Sequence, residues 1–134
     1  TDSRRRKFMS ANKHTNKSHI LICVWQPNEH WHALSNDERR TFLDKVGSDA
    51  NVAREGGMDI LGWGALERGV SNPPSHSFCG VFAVDGREGL YSIDKGIGDA
   101  GWYDYFDHRT LATELLGRDG VDAGAALCRL LGVS

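Results

Sequence analysis

A run of β-branched and apolar residues at 19–26 predicts the first strand, which Pro27 ends. Successive side chains of a strand point to opposite faces, so alternation separates an apolar face from a mixed one. We expect the apolar face, formed by Ile20, Ile22 and Val24, to pack against helices. The mixed face would look into a cavity, and it is formed by His19, Leu21, Cys23 and Trp25.

The next segment predicts a loop or short turn at 28–34, followed by a long helix. Ser35 and Glu38 have the spacing of a capping box, in which each side chain bonds the backbone amide of the other. Apolar side chains recur at helical spacing beyond this cap, and Gly56-Gly57 is typical of a helix end. The pattern therefore predicts a helix from Asn36 to about Glu55.

The second half of the chain predicts two more strands and two weaker helices. Residues 58–67 read as strand 2, with Gly62 and Gly64 on one face and Trp63 on the other. A loop with two prolines leads to strand 3 at 77–85. Apolar residues at helical spacing around 90–97 predict a glycine-rich helix, and 120–131 predicts a C-terminal one.

The aromatic stretch 101–108 predicts strand 4 and concentrates the chemistry of the chain. Alternation would place one group on one face, namely Trp102, Asp104, Phe106 and His108. Two interpretations stay open: this face lines a cavity, or its polar atoms only cap the end of a sheet and bond backbone or water.

The resulting order, β-α-β-β-α-β plus a C-terminal helix, predicts an α+β, ferredoxin-like fold. Such a sheet carries helices on one face only, so the mixed face needs another cover. We expect a second copy to provide it, with two sheets closing into a dimeric α/β-barrel.

Composition changes this picture little, but charge divides the chain into two parts. The net charge is −2, yet residues 1–18 hold six Lys and Arg against one acid, and the remainder holds ten against seventeen. We expect 1–18 to be a basic, disordered leader and 19–134 to be one domain. Nucleic-acid binding through the basic run 4–7 is a minor alternative.

Cysteine usage and hydropathy point to the cytoplasm and to no membrane partner. The three cysteines form no CxxC pair, and no signal peptide or long apolar span is evident. Motifs for phosphate or dinucleotide binding are also missing: the glycine run at 96–101 closes a helix rather than opening one. We therefore expect no organic cofactor.

Three motifs carry a resemblance to a known family: W-x-A-L-S-x-x-E-R-x-x-F-L-x-K-V-G at 31–47, GWG at 62–64 and GWYDYF at 101–106. Together they resemble a small family of uncharacterised bacterial dimeric α/β-barrel proteins, over about residues 19–108. The resemblance implies the dimeric α/β-barrel fold. That superfamily contains cofactor-free monooxygenases, polyketide cyclases, lactone isomerases and haem enzymes, and the family supplies no catalytic residues.

Four side chains are candidate catalytic groups: His30, His32, Asp104 and His108. An imidazole titrates near neutrality and so suits general acid–base chemistry. His32 or His30 would move the proton, and Asp104 and His108 would polarise or orient the reacting groups. His30 and His32 would share a face if extended, so a metal site with His76 and His108 is an alternative, but we expect no metal. Exposed loop histidines and a structural Asp104 are equally simple interpretations.

The candidate substrate-binding residues are mainly aromatic: Trp25, Cys23, Trp63, Trp102, Tyr103 and Phe82. Stacked indoles favour flat, apolar ligands. The sequence thus predicts a homodimeric, cofactor-independent enzyme of secondary metabolism, a cyclase, dehydratase, isomerase or monooxygenase acting on an aromatic, polyketide-like substrate. The alternative is a non-catalytic ligand-binding or structural dimer.

Overall fold

Four antiparallel strands form one open sheet in the order β2-β3-β1-β4. The computed structural model describes residues 15–117 and 120–134. Along the chain the elements are β1 (His19–Pro27), α1 (Glu29–Ala33), α2 (Asn36–Glu55), β2 (Asp59–Ala65), β3 (Phe78–Val84), α3 (Arg87–Asp99), a 3₁₀ turn (Trp102–Asp104), β4 (Phe106–Glu114) and α4 (Ala123–Leu131). None of these helices is long and apolar enough to span a membrane.

The long helix α2 confirms its predicted bounds and its capping box. Ser35 Oγ accepts from the Glu38 amide at 3.1 Å, while Glu38 Oε1 accepts from the Ser35 amide at 2.9 Å. The preceding segment is helical rather than a loop, because Asn28 Oδ1 caps α1 by accepting from the His30 and Trp31 amides.

The expected ferredoxin-like βαββαβ fold is wrong, whereas the closing of two copies into a dimeric α/β-barrel stays a prediction. Two helices rather than one separate β1 from β2, a 3₁₀ turn precedes β4, and the sheet is open. The chain's own helices cover the mixed face, since Ala53 of α2 and Ile93 and Ile97 of α3 pack against it.

The helices cover the mixed face rather than the purely apolar one that the sequence pattern indicated, while the mixed face does line a cavity. The buried core lies on the mixed face, and it consists of Leu21, Cys23, Met58, Phe82, Val84 and Leu90. The purely apolar face, with Ile20 and Ile22, is turned away from α2 and α3. Alternation alone identifies two faces, but it does not say which one the helices cover.

A β-bulge in β2 changes which residues share a face. The register with β3 shifts between Ile60 and Gly62, so Ile60 pairs with Phe82 and Trp63 pairs with Gly80. Ile60 and Trp63, three positions apart, both reach the core face as a result. Strict alternation had placed them on opposite faces.

The predicted leader ends in an ordered contact with the sheet. Of residues 1–18 only 15–18 lie within the described part of the chain. Thr15 Oγ1 donates to Asp59 Oδ2 at 2.6 Å, and the Ser18 amide donates to Asp85 Oδ1 at 3.3 Å. These bonds fix the approach of the chain to β1.

Candidate functional site

A cavity of about 460 Å³ lies between the core face of the sheet and the helices α2 and α3. Strand side chains form its floor, and the two helices form its roof. On the sheet side, the cavity is lined by Cys23, Trp25, Trp63, Phe82, Trp102 and His108. Five of the six predicted substrate-binding residues therefore line one space.

Aromatic contacts hold the walls of this cavity. The Trp102 ring stacks on Phe106 at 4.1 Å between centroids and meets Trp25 edge-on at 5.4 Å. On the opposite side Trp63 meets Phe82 edge-on at 5.8 Å. The two contacts of Trp102 hold its ring in place, and together these aromatic side chains give the cavity flat, apolar walls.

Trp102 reaches this position through a turn, and the prediction of a strand at 101–108 is wrong in its first half. Gly101 has a left-handed conformation at φ 85°, which glycine adopts without strain. The chain then makes one 3₁₀ turn before β4 begins at Phe106. The indole folds back over β4 instead of lying along it.

His108 is the titratable side chain at the centre of the site. The Trp102 indole Nε1–H donates to His108 Nδ1 at 3.1 Å, and His108 Nε2 lies 2.8 Å from Thr110 Oγ1. An indole nitrogen only donates, so Nδ1 must accept. The neutral ring therefore carries its proton on Nε2 and donates it to the Thr110 hydroxyl.

The environment of His108 favours the neutral imidazole. Burial is the main cause that lowers its pKa below the ordinary value of 6.5. Asp94 of α3 opposes this effect by raising the pKa, and His76, in the loop before β3, lowers it further. At neutral pH the ring is thus an uncharged base with a carboxylate nearby to stabilise its protonated form.

Cys23 and Tyr103 also lie next to the Thr110 hydroxyl, and both stay protonated at neutral pH. Burial, followed by the charge of Asp94, raises the pKa of the Cys23 thiol to about 12. Burial and Asp94 also raise the pKa of Tyr103, and Thr110 lowers both values by less. Cys23 is consequently a protonated, apolar wall rather than a nucleophile.

Tyr103 does not line the cavity, although the sequence placed it there. Its side chain is 46% exposed, and its ring meets the His108 imidazole edge-on at 5.2 Å. The ring also lies against Gly98 at the end of α3. Tyr103 therefore supports His108 from the side away from the cavity.

Charged side chains border the cavity on the helix side. Lys45 and Asp49 come from α2, and Asp99 comes from α3. Asp99 is already paired, because its Oδ2 accepts from Lys95 Nζ at 2.6 Å. The cavity thus has an apolar floor and a polar border at the solvent.

The structure does not bring the other three predicted catalytic residues to the cavity. His30 and His32 are exposed on α1, where the His32 carbonyl accepts from Arg39 at 3.1 Å. Asp104 is exposed in the 3₁₀ turn, and its carbonyl accepts from Asn28 Nδ2 at 3.1 Å. Among the described residues, no group of three or more potential ligands is placed to hold a metal ion.

Three residues of the candidate site were missed from the sequence: Thr110, Asp94 and Lys45. Thr110 follows His108 by two positions, and it shares the face of His108 because β4 extends to Glu114. Extending the predicted strand past 108 would have found it. Asp94 and Lys45 show no distinctive pattern in sequence, since a charged residue on a helix is ordinarily solvent-facing.

The fold and site define a single-sheet protein with a cavity, open to solvent, between sheet and helices and a neutral histidine in its wall. The chain belongs to a family described as a family of unknown function, DUF6616, whose model matches residues 18–126. No curated protein matches the chain, and no solved structure does.

Proposed function

We propose that this protein is a small-molecule enzyme that binds a flat, largely apolar substrate in the cavity and catalyses proton transfer through His108. The observation that carries the proposal is the position of a neutral imidazole in the wall of an aromatic cavity. A perturbed histidine in a cleft, with specific charged and hydrogen-bonding neighbours, is a feature of catalytic sites. The family supplies no activity, so the argument rests on the site itself.

The size and chemistry of the cavity support a proposal for the substrate class. A volume of about 460 Å³ lies within the range of roughly 300–1,000 Å³ typical of small-molecule sites. The indoles of Trp25 and Trp102 offer flat apolar surfaces, while Lys45 and Asp49 border the solvent. An aromatic ketone or a polyketide-like molecule, with a flat body and few polar groups, fits this arrangement.

The proton transfer begins at the lone pair of His108 Nδ1. In the free enzyme this lone pair accepts from the Trp102 indole. When the substrate binds, the α-carbon C–H bond breaks, its proton goes to Nδ1, and its electron pair forms an enolate. The indole N–H, released from Nδ1, then donates to the enolate oxygen, which is the role of an oxyanion-hole donor.

The protonated His108 returns its proton and leaves the enzyme unchanged. Thr110 accepts from Nε2 throughout, and the Asp94 carboxylate stabilises the imidazolium. Return of the proton to a second carbon gives an isomerase. Attack of the enolate carbon on a carbonyl of the same molecule forms a carbon–carbon bond, and the alkoxide takes the proton, which gives a cyclase.

The test is proton exchange on an enolisable aromatic ketone. In D₂O the enzyme should accelerate deuterium uptake at the α-carbons of 2-tetralone, measured by ¹H NMR, and His108→Gln should abolish the acceleration. His30→Gln and His32→Gln are matched controls, because these exposed imidazoles lie outside the cavity. Equal rates for wild type and His108→Gln would contradict the proposal.

A second candidate is a non-catalytic ligand-binding protein. It is favoured by one observation: both ring nitrogens of His108 already have partners within the chain. In that case 2-tetralone would bind without acceleration of exchange, and His108→Gln would weaken stability alone. The exchange experiment therefore separates the two functions.

A further inference from the structure

We infer that the Trp63 ring closes the entrance to the cavity and that Gly80, which has no side chain, leaves the space that the closed ring occupies. The proposal concerns how a ligand enters the cavity. It rests on the proposed function only because both assume that a ligand binds in this cavity. It identifies a pair of specificity-determining residues that play no part in the proton transfer.

The first observation is that Trp63 belongs to the cavity wall and to the surface at once. Its side chain lines the cavity and is nevertheless 56% exposed. Val52, across the cavity on α2, also lines it and is 67% exposed. An apolar opening therefore lies between the edge strand β2 and the last turns of α2.

The second observation is the position of the Trp63 ring over Gly80. A Cβ atom built on Gly80 would lie 2.9 Å from Trp63 Cδ1, 3.0 Å from Phe82 Cζ and 3.1 Å from Trp63 Nε1, closer than the two rings tolerate. Only a glycine therefore leaves room for the indole here. Because Gly80 of β3 pairs with Trp63 of β2, Gly80 lies directly beneath the indole ring.

The third observation is that few contacts hold the ring in place. The ring contact that Trp63 makes is the edge-on one with Phe82, at 5.8 Å between centroids. The residue lies on an edge strand after the bulge, between Gly62 and Gly64. Side chains in such positions change rotamer rapidly, so the ring can swing aside to admit a ligand and settle again on Gly80.

The test measures how fast an uncharged apolar dye enters the cavity. N-phenyl-1-naphthylamine is mixed with the protein in a stopped-flow fluorimeter, and the association rate constant is compared among variants. Gly80→Ala displaces the ring and Trp63→Ala removes it, so both should raise the rate constant by about threefold to tenfold, as expected for loss of one aromatic contact. The matched control is Gly64→Ala on β2, because a Cβ there meets nothing within 4 Å.

Three outcomes would overturn the inference. A wild-type rate constant in Trp63→Ala would show that the dye enters elsewhere. An equal increase in Gly64→Ala would indicate general loosening of β2. Absence of dye binding to wild type would refute the entrance together with the proposed function. By contrast, faster entry in both variants with no exchange on 2-tetralone would uphold the entrance and refute the enzyme.

Discussion

Replacing Trp102 by phenylalanine tests the hydrogen bond on which the site depends. The phenyl ring keeps the stack on Phe106 and the edge contact with Trp25, but it has no N–H to donate. His108 Nδ1 then loses its partner, 3.1 Å away in the wild type. The substitution thus isolates one donor while it preserves the aromatic wall.

Two effects should follow from this single loss. One hydrogen bond between partly buried groups contributes about 0.5–1.5 kcal/mol to the free energy of unfolding. Urea denaturation should show a decrease of this size. In addition, the pKa of His108 should rise, because a donor to the neutral ring lowers the pKa and its removal reverses that effect.

The assay is a pH titration of the His108 ring by ¹H–¹⁵N NMR. In the wild type at neutral pH, Nδ1 should resonate as an unprotonated nitrogen and Nε2 as a protonated one. Trp31→Phe is the matched control, since Trp31 lies outside the cavity and has no hydrogen bond to His108, so the His108 pKa should stay unchanged. An unchanged or lower pKa in Trp102→Phe would refute the assigned hydrogen bond.

Three further predictions concern reactivity, pH and packing. Iodoacetamide should alkylate the exposed Cys128 at pH 8 and leave Cys23, whose pKa burial raises to about 12, unmodified until the protein unfolds; mass spectrometry of the peptides checks this. Burial lowers the pKa of His108, so its contribution to stability is present above the ordinary value of 6.5 and is lost as the pH falls through the folded pKa. As the pH falls from 6.5 through the folded pKa of His108, the urea midpoint should decrease in wild type and decrease less in His108→Gln. Parallel curves for the two proteins would argue against the buried neutral ring. Leu21→Ala, at a 2% exposed core position, should cost about 2–5 kcal/mol, whereas Leu43→Ala, 42% exposed on α2, should cost much less.

The sequence predicted local structure well wherever the signal itself was local. The capping box and double glycine placed the ends of α2, and β-branched residues placed β1, because neighbouring side chains determine both features. The short helix α1 escaped prediction although Asn28 is a favourable cap, because its five residues are too few to show a helical apolar repeat.

Features that depend on distant contacts were predicted poorly. The bulge at Ile60 and Gly62 was missed although a glycine inside a strand often marks one, and it decides that Trp63 faces the cavity. The turn after Gly101 likewise depends on packing of Trp102 against β4. Consequently the aromatic wall was predicted in composition, whereas the choice of His108 over His30 and His32 required the tertiary structure.

The most direct test of the account is a ligand titration monitored at the four tryptophan indole N–H resonances. Three of these rings, Trp25, Trp63 and Trp102, line the cavity, while Trp31 packs outside it against Phe42 and Phe106. With signals assigned from single Trp→Phe variants, 2-tetralone should shift the three cavity resonances along one binding curve and leave Trp31 in place. Shifts confined to Trp31, or no shift at any indole, would contradict a ligand site between the sheet and helices α2 and α3.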